Sequence, residues 1–112
     1  MPSQGEIVLV PIPFTDLSSA RRRPVVVVSN DAYNMATADM VVVAMTSNLT
    51  PTPHSFVLTS VDLVSGSLNH PGRVRVDKIY TLAQRTVFAS FGKVNDATLD
   101  RIRQLLATLC GP

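Results

Sequence analysis

A mainly β (α+β) chain, coiled into a small barrel and closed by helices, is the fold that three features of this 112-residue sequence predict. The first is a pair of unbroken apolar runs, Val25-Val26-Val27-Val28 and Met40-Val41-Val42-Val43-Ala44-Met45. Branched side chains are stiff at χ1 and fit a pleated, packed surface, so runs without alternation read as strands buried on both faces. The second is the period-two stretch Arg73-Val74-Arg75-Val76-Asp77, with Arg73, Arg75 and Asp77 on one face and both valines toward the core. The third is a C-terminal amphipathic segment, in which Leu99, Ile102, Leu105, Leu106 and Leu109 line one side of a helix.

Taken in order, Gly5 to Val10 reads as a first strand stopped by Pro11 and Pro13. Pro11 to Arg23 shows little periodicity, and structureless connections of that length are often functional. Its end, Arg21-Arg22-Arg23, reads as a mobile basic loop running into the valine strand. Pro24 is expected as first residue of that strand, and it biases Arg23 toward extended backbone. Asn30 to Asp39 is expected to be irregular, and the strand after it ends in the polar group Thr46-Ser47-Asn48. Pro51 and Pro53 punctuate before a strand at Ser55 to Leu58. Ser60 is expected to cap a helical turn reaching Leu63. Ile79 to Arg85 reads as a short strand turning into a helical turn. Phe88, Phe91 and Val94 are assigned to the core, with a short strand at Gly92 to Val94. Asn95 or Asp96 caps the last helix, Arg101 and Arg103 lie near its polar side, and Gly111-Pro112 ends it.

The totals bound the function. The length suits one domain, residues 1–112, and 46% hydrophobic with 16% charged residues describes a folding chain. A net charge of +2 permits a nucleic-acid partner without demanding one. Eight of the ten cations are Arg, whose fork matches phosphate oxygens better than Lys does. Cys110 is the single cysteine, so a reducing cytosol is the expected setting. His54, His70 and Cys110 make no metal-ligand spacing, and neither a metal nor another cofactor is expected. No basic-then-apolar leader and no membrane-length apolar run is read, so a cytoplasmic protein without a membrane partner is expected.

The motifs exclude more than they assign. There is no nucleophile elbow, P-loop or dinucleotide fingerprint, and the carboxylates are scattered singly. What remains is Arg, Thr, Ser and Asn at strand ends. That set is adequate for cutting RNA, which carries its own nucleophile in the 2′-hydroxyl. The protein need only align that group, stabilise the charged phosphorane and help move protons.

A run of motifs then resembles one family. Gly5-Glu6-Ile7-Val8-Leu9-Val10, Pro13-Phe14-Thr15-Asp16 and Arg22-Arg23-Pro24-Val25-Val26-Val27-Val28-Ser29-Asn30 are similar to the N-terminal signature of MazF/PemK toxins. Val43-Ala44-Met45-Thr46-Ser47, Val76-Asp77-Lys78-Ile79-Tyr80-Thr81-Leu82 and Gly92-Lys93-Val94 before a capped helix resemble its later segments, in order along nearly the whole chain. The resemblance implies an SH3-like β-barrel of coiled antiparallel strands with short helices, of the MazF/CcdB type, working as a homodimer. It also implies a type II toxin: a metal-independent, sequence-selective endoribonuclease on single-stranded RNA, leaving 2′,3′-cyclic phosphate and 5′-hydroxyl ends. A cognate antitoxin would lay an acidic tail in the same groove.

By the same resemblance, Arg23 and Thr46 are the catalytic pair, Arg23 stabilising the phosphorane and Thr46 bonding the scissile phosphate. Arg21 and Arg22 are expected to steer the RNA backbone, Ser47 and Asn48 to line the groove, and His54 to stand where some relatives contact substrate. Arg75 and Lys78 either extend the basic groove or pair with Asp77 and its neighbours. Many relatives carry Gly-Ser-Glu-Gln in the first long loop, where this chain has Leu17-Ser18-Ser19-Ala20, and that Glu has no obvious heir. A non-catalytic RNA- or antitoxin-binding module is therefore an alternative. A CcdB-like gyrase poison is a weaker one, since those relatives use a C-terminal tryptophan and this chain has none.

Overall fold

The computed structural model describes residues 1–13 and 20–112, with Pro13 and Ala20 described by backbone alone. The Phe14-Thr15-Asp16 motif and Leu17 to Ser19 lie outside the described residues. Seven antiparallel strands form one curled half-barrel: β1 (Glu6–Pro13), β2 (Ala20–Val27), β3 (Asp39–Thr46), β4 (Ser55–Leu58), β5 (Leu63–Gly66), β6 (Gly72–Ala83) and β7 (Ala89–Val94). Their order across the sheet is β4-β6-β3-β2-β1-β7-β5. Helix α1 (Asp31–Ala36) joins β2 to β3, and α2 (Asp96–Cys110) follows β7.

Both faces of the sheet are buried, as the valine runs require. Ile7, Val26, Val43, Val74 and Val76 pack with Leu99 and Ile102 of α2 on one face. Val8, Val10, Val25, Val27, Met40 and Val42 form a second cluster on the other. Asn95 caps α2 by accepting the Thr98 N–H at 2.9 Å, and the expected leucine face is the one that packs. Arg101 lies over the Phe56 ring at 4.5 Å, so it covers the core edge as well as facing water.

The prolines do not stop β1. It runs through Pro11 and Pro13, which pair with Arg22 and Ala20 of β2. The Leu9 carbonyl accepts from Phe88 on the β7 side, so odd-numbered residues of β1 turn their polar backbone away from β2. The pairing with β7 ends at Leu9, and beyond it a missing N–H disturbs no ladder. The three arginines are likewise not a loop: Arg21, Arg22 and Arg23 are paired in β2 opposite Ile12, Pro11 and Val10. Pro24 therefore lies inside the strand, not at its start.

Four further expectations change. Asn30 to Asp39 contains a helix, with the Asn30 carboxamide capping it at the Tyr33 N–H. Thr59 rather than Ser60 precedes the turn Ser60–Asp62, its N–H donating to Asp62 at 2.9 Å. The strand β5 was not expected, because Val64-Ser65-Gly66 is exposed and carries no buried pattern. Phe88 and Phe91 are exposed, at 58% and 37%, and only Val94 of the three joins the core. Phe91 is the extra residue of a β-bulge, since Ile7 pairs with Gly92 and Val8 with Ser90. A bulge turns one side chain out of the alternation, which local patterning does not reveal.

Ile102 is fully buried at the centre of α2's contact with the sheet, while Leu109 is only half-buried. Ile102→Ala should therefore cost about 2–5 kcal/mol and Leu109→Ala clearly less, as read from urea unfolding midpoints at constant slope.

Candidate ribonucleolytic cleft

Pro24 opens the site. The Val28 N–H donates to the Val41 carbonyl, so even-numbered residues of β2 point their amides toward β3. Pro24 has no amide to give at the next position, and the β2–β3 ladder ends with Val25 opposite Ala44. Past that pair the strands bound a cleft of about 540 Å³, with Pro24, Met45, Thr46 and Ser47 on its walls.

Register then collects the charged residues. Continued by two residues, the Val25↔Ala44 pairing brings Arg23 level with Thr46. Thr46 pairs in turn with Arg73 of β6, and Ala44 pairs with Arg75. Strand alternation puts Arg23, Thr46, Arg73 and Arg75 on one face of the sheet. Arg21 is on that face too, while Arg22 points to the opposite one.

Each side chain is held differently. Thr46 Oγ1 accepts the Asn48 N–H at 3.1 Å, and the Asn48 side-chain oxygen accepts the Thr50 N–H at 3.0 Å. A hydroxyl held as an acceptor still has its own proton to donate, and Thr46 is one of the residues that line the cleft. Arg75 donates Nε to Asp77 Oδ1 at 2.9 Å and Nη2 to Oδ2 at 2.8 Å, a two-pronged pair. Its Nη1 protons are not used in that pair. The hydrogen bonds from Arg75 hold the Asp77 carboxyl below its ordinary range against the opposing effect of burial, and they raise the Arg75 guanidinium. Of the two alternatives for Arg75, pairing with Asp77 is what the structure shows.

Arg73 was not singled out by sequence, because one Arg among three alternating charges looks solvated. It is 7% exposed. Its Nε and Nη2 donate to the Leu49 carbonyl at 3.3 and 3.1 Å, and Nη1 donates to Ser55 Oγ at 3.0 Å. It thus fastens the loop after Thr46 to β6 and β4. The remaining candidates are more peripheral. Ser47 and Asn48 are exposed beside Thr46, and Lys78 is exposed on an insertion in β6, where Val43 pairs with Ile79 but Ala44 with Arg75. His54 has a left-handed backbone, φ 57°, and its carbonyl accepts the Val76 N–H of that insertion at 3.0 Å. Arg22 lies over the Phe88 ring at 3.6 Å, on the face away from Arg23. Among the described residues, no three of His, Cys, Asp and Glu gather into a metal-ligand group, and no helix is long and apolar enough to cross a membrane.

A depressed carboxyl stabilises the fold above its unfolded pKa, and that contribution is lost as pH falls through the lower, folded value. A carboxyl-carbon NMR titration should place the Asp77 midpoint below the ordinary Asp value of about 3.9, and Arg75→Ala should move it upward. Arg73→Met should cost about 1–3 kcal/mol by leaving the Leu49 carbonyl without its side-chain donor, measured by thermal unfolding.

Known proteins share this architecture. The profile of the PemK-like, MazF-like toxins of type II toxin–antitoxin systems matches residues 3–110. Endoribonuclease MazF4 of Mycobacterium tuberculosis is 33% identical over 89 residues, covering 80% of this chain and 79% of that protein. An endoribonuclease solved in complex with its cognate antitoxin, from a mycobacterial species, superposes with a TM-score of 0.80 at 28% identity, over 100% of this chain and 98% of that one. A MazE–MazF crystal structure from Deinococcus radiodurans gives 0.73 at 28% identity, over 98% and 95%. With its half-barrel, its terminal helix and its motifs in family order, this chain belongs to the PemK-like, MazF-like toxins of type II toxin–antitoxin systems.

Proposed function

We propose that this chain is a metal-independent endoribonuclease that cuts single-stranded RNA at preferred sequences, acting as a cytoplasmic homodimer under the control of an antitoxin. The observation that carries the reading is the β2–β3 register, which, continued past Val25↔Ala44, levels Arg23 with Thr46 where the ladder ends. These are the two residues that family resemblance pairs, and they come from separate strands.

In the reaction, the 2′-oxygen attacks the adjacent phosphorus and loses its proton. The phosphorane then expels the 5′-oxygen, which takes up a proton, leaving 2′,3′-cyclic phosphate and 5′-hydroxyl ends. The phosphorane concentrates negative charge on its equatorial oxygens, and fixed donors aimed there are worth most in a site shielded from water. Arg23 is assigned to that charge and the Thr46 hydroxyl to a phosphate oxygen. A guanidinium keeps its protons in proteins, so Arg23 suits charge stabilisation better than proton transfer. Arg75, oriented by Asp77, offers its remaining N–H groups to the RNA backbone, with Arg21, Lys78 and the loop of Ser47, Asn48 and His54 flanking it. An acidic antitoxin segment would meet the same cations, so one basic face serves both binding and inhibition.

The test is cleavage of a long, end-labelled single-stranded RNA in EDTA by purified protein. Wild type should cut at a recurring short sequence. Arg23→Ala should slow cutting by about 10²–10³-fold, and Thr46→Val by about tenfold. Wild type leaving diverse RNAs intact, or Arg23→Ala cutting as fast as wild type, would sink the assignment.

A further inference from the structure

The rest of the cleft wall is built by two segments that the proposed chemistry does not use. One is the connection from β5 to β6, including Ser67, Asn69 and His70; the other is the bulge of β7 at Phe91. We propose that this wall is a nucleobase pocket that receives one unstacked base of the RNA strand next to the cut phosphate and sets sequence preference at that position. This rests on the ribonuclease reading.

Three observations carry it. First, Phe91 is a large aromatic side chain that a bulge has taken out of the core, and it lines the cleft while 37% exposed. Bulges that re-aim a side chain are a recurrent device beside functional sites. Second, the wall is held in place. The Ser67 N–H donates to the Phe91 carbonyl at 3.2 Å. Gly66 and Gly92, at φ 78° and 144°, face each other across the β5–β7 pair, where a Cβ on Gly66 would strike the Phe91 carbonyl and one on Gly92 the Ser65 carbonyl. The close crossing fixes the start of the polar loop against the β7 backbone at Phe91. Third, the cleft is continuous from Pro24 and Thr46 to Phe91.

This composition fits a base better than a phosphate. Single-stranded bases are read by stacking on an aromatic face and by hydrogen bonds to their edges. Phe91 offers the apolar surface, and Ser67, Asn69 and His70 offer the donors and acceptors. The cations assigned to the RNA backbone stand on other elements, Arg23 on β2 and Arg75 on β6.

The experiment sequences the product ends from a randomised single-stranded RNA pool cut by wild type, Phe91→Ala, Phe91→Tyr and the doubly substituted Asn69→Ala/His70→Ala protein. KM is measured on the preferred sequence. Wild type should show a base preference at a position flanking the cut. Phe91→Ala should erase it and raise KM about ten- to hundredfold, as the loss of one base–aromatic stack predicts. Phe91→Tyr should keep both, and the double loop variant should change the preferred base. Preference and KM unchanged in Phe91→Ala and in the double variant would overturn the pocket. So would a Phe91→Ala protein that loses self-association in sedimentation while keeping its base preference, since Phe91 would then belong to a contact between copies. If Phe91→Ala does not fold, the exposed double loop variant decides. A wild type that cuts nothing would bring down the ribonuclease reading itself, whereas a cutting wild type with insensitive variants removes only the pocket.

Discussion

Pro24 has no N–H, and it stands where β2 should next donate to β3. The Val28 to Val41 bond sets the direction of every second amide along β2, so the vacancy faces β3 and not β1. The ladder to β1 continues past it to Ala20, while the ladder to β3 ends one residue before it. Two strands thus remain joined on one side and part on the other. The cleft borders that parting, with Pro24 and Thr46 on its wall, while Arg23 stays paired to β1. An ordinary residue at this place would be able to extend the β2–β3 ladder and narrow the cleft there.

Irregularities in the other strands complete what Pro24 begins. In β6, Val76, Asp77 and Lys78 are inserted between the partners of Val43 and Ala44. Three is an odd number, so the side chains change face across the insertion: Val74 packs with the α2-side cluster, whereas Tyr80 and Leu82 pack with the opposite one. The insertion also sets the Arg75–Asp77 pair beside the row that holds Thr46 and Arg73. In β7, a single extra residue turns Phe91 outward. Each departure from regular pairing lies at the cleft or beside the basic face, while the regular stretches of β1, β2 and β3 supply the rigid support.

The electrostatics of the face are graded by burial. Arg73 is enclosed and spends its donors on the Leu49 carbonyl and the Ser55 hydroxyl, holding a loop in place. Arg75 is partly exposed and shares one side of its fork with Asp77. That pairing neutralises part of its charge, and in return it fixes the direction of the remaining N–H groups. Near a polyanion, an oriented guanidinium loses less freedom on binding than a loose one. Asp77 is therefore best understood as an orienting group, with its carboxylate kept ionised by the pair.

Elements whose evidence is local were legible in the residues themselves. Val25 to Val28 and Met40 to Met45 announced doubly buried strands, and the leucine spacing with Asn95 announced α2, because burial on a fixed period leaves its mark in composition. The motif order from Gly5 to Val94 placed the chain in its family and pointed to Arg23 and Thr46. What the residues alone did not determine was pairing. Pro11 and Pro24 were expected to bound strands, yet a proline stops a strand only if its missing amide faces a partner, and the partner is chosen by the whole sheet. Arg73 and Arg75 were equivalent in the pattern, and only the returning β3–β4 loop buried one of them. Phe88 and Phe91 were assigned to the core by hydrophobicity, but a bulge and the course of β7 placed them outside it. Periodicity records which side chains are buried along one strand, whereas register, bulges and loop closure arise between strands, and those placed the cleft.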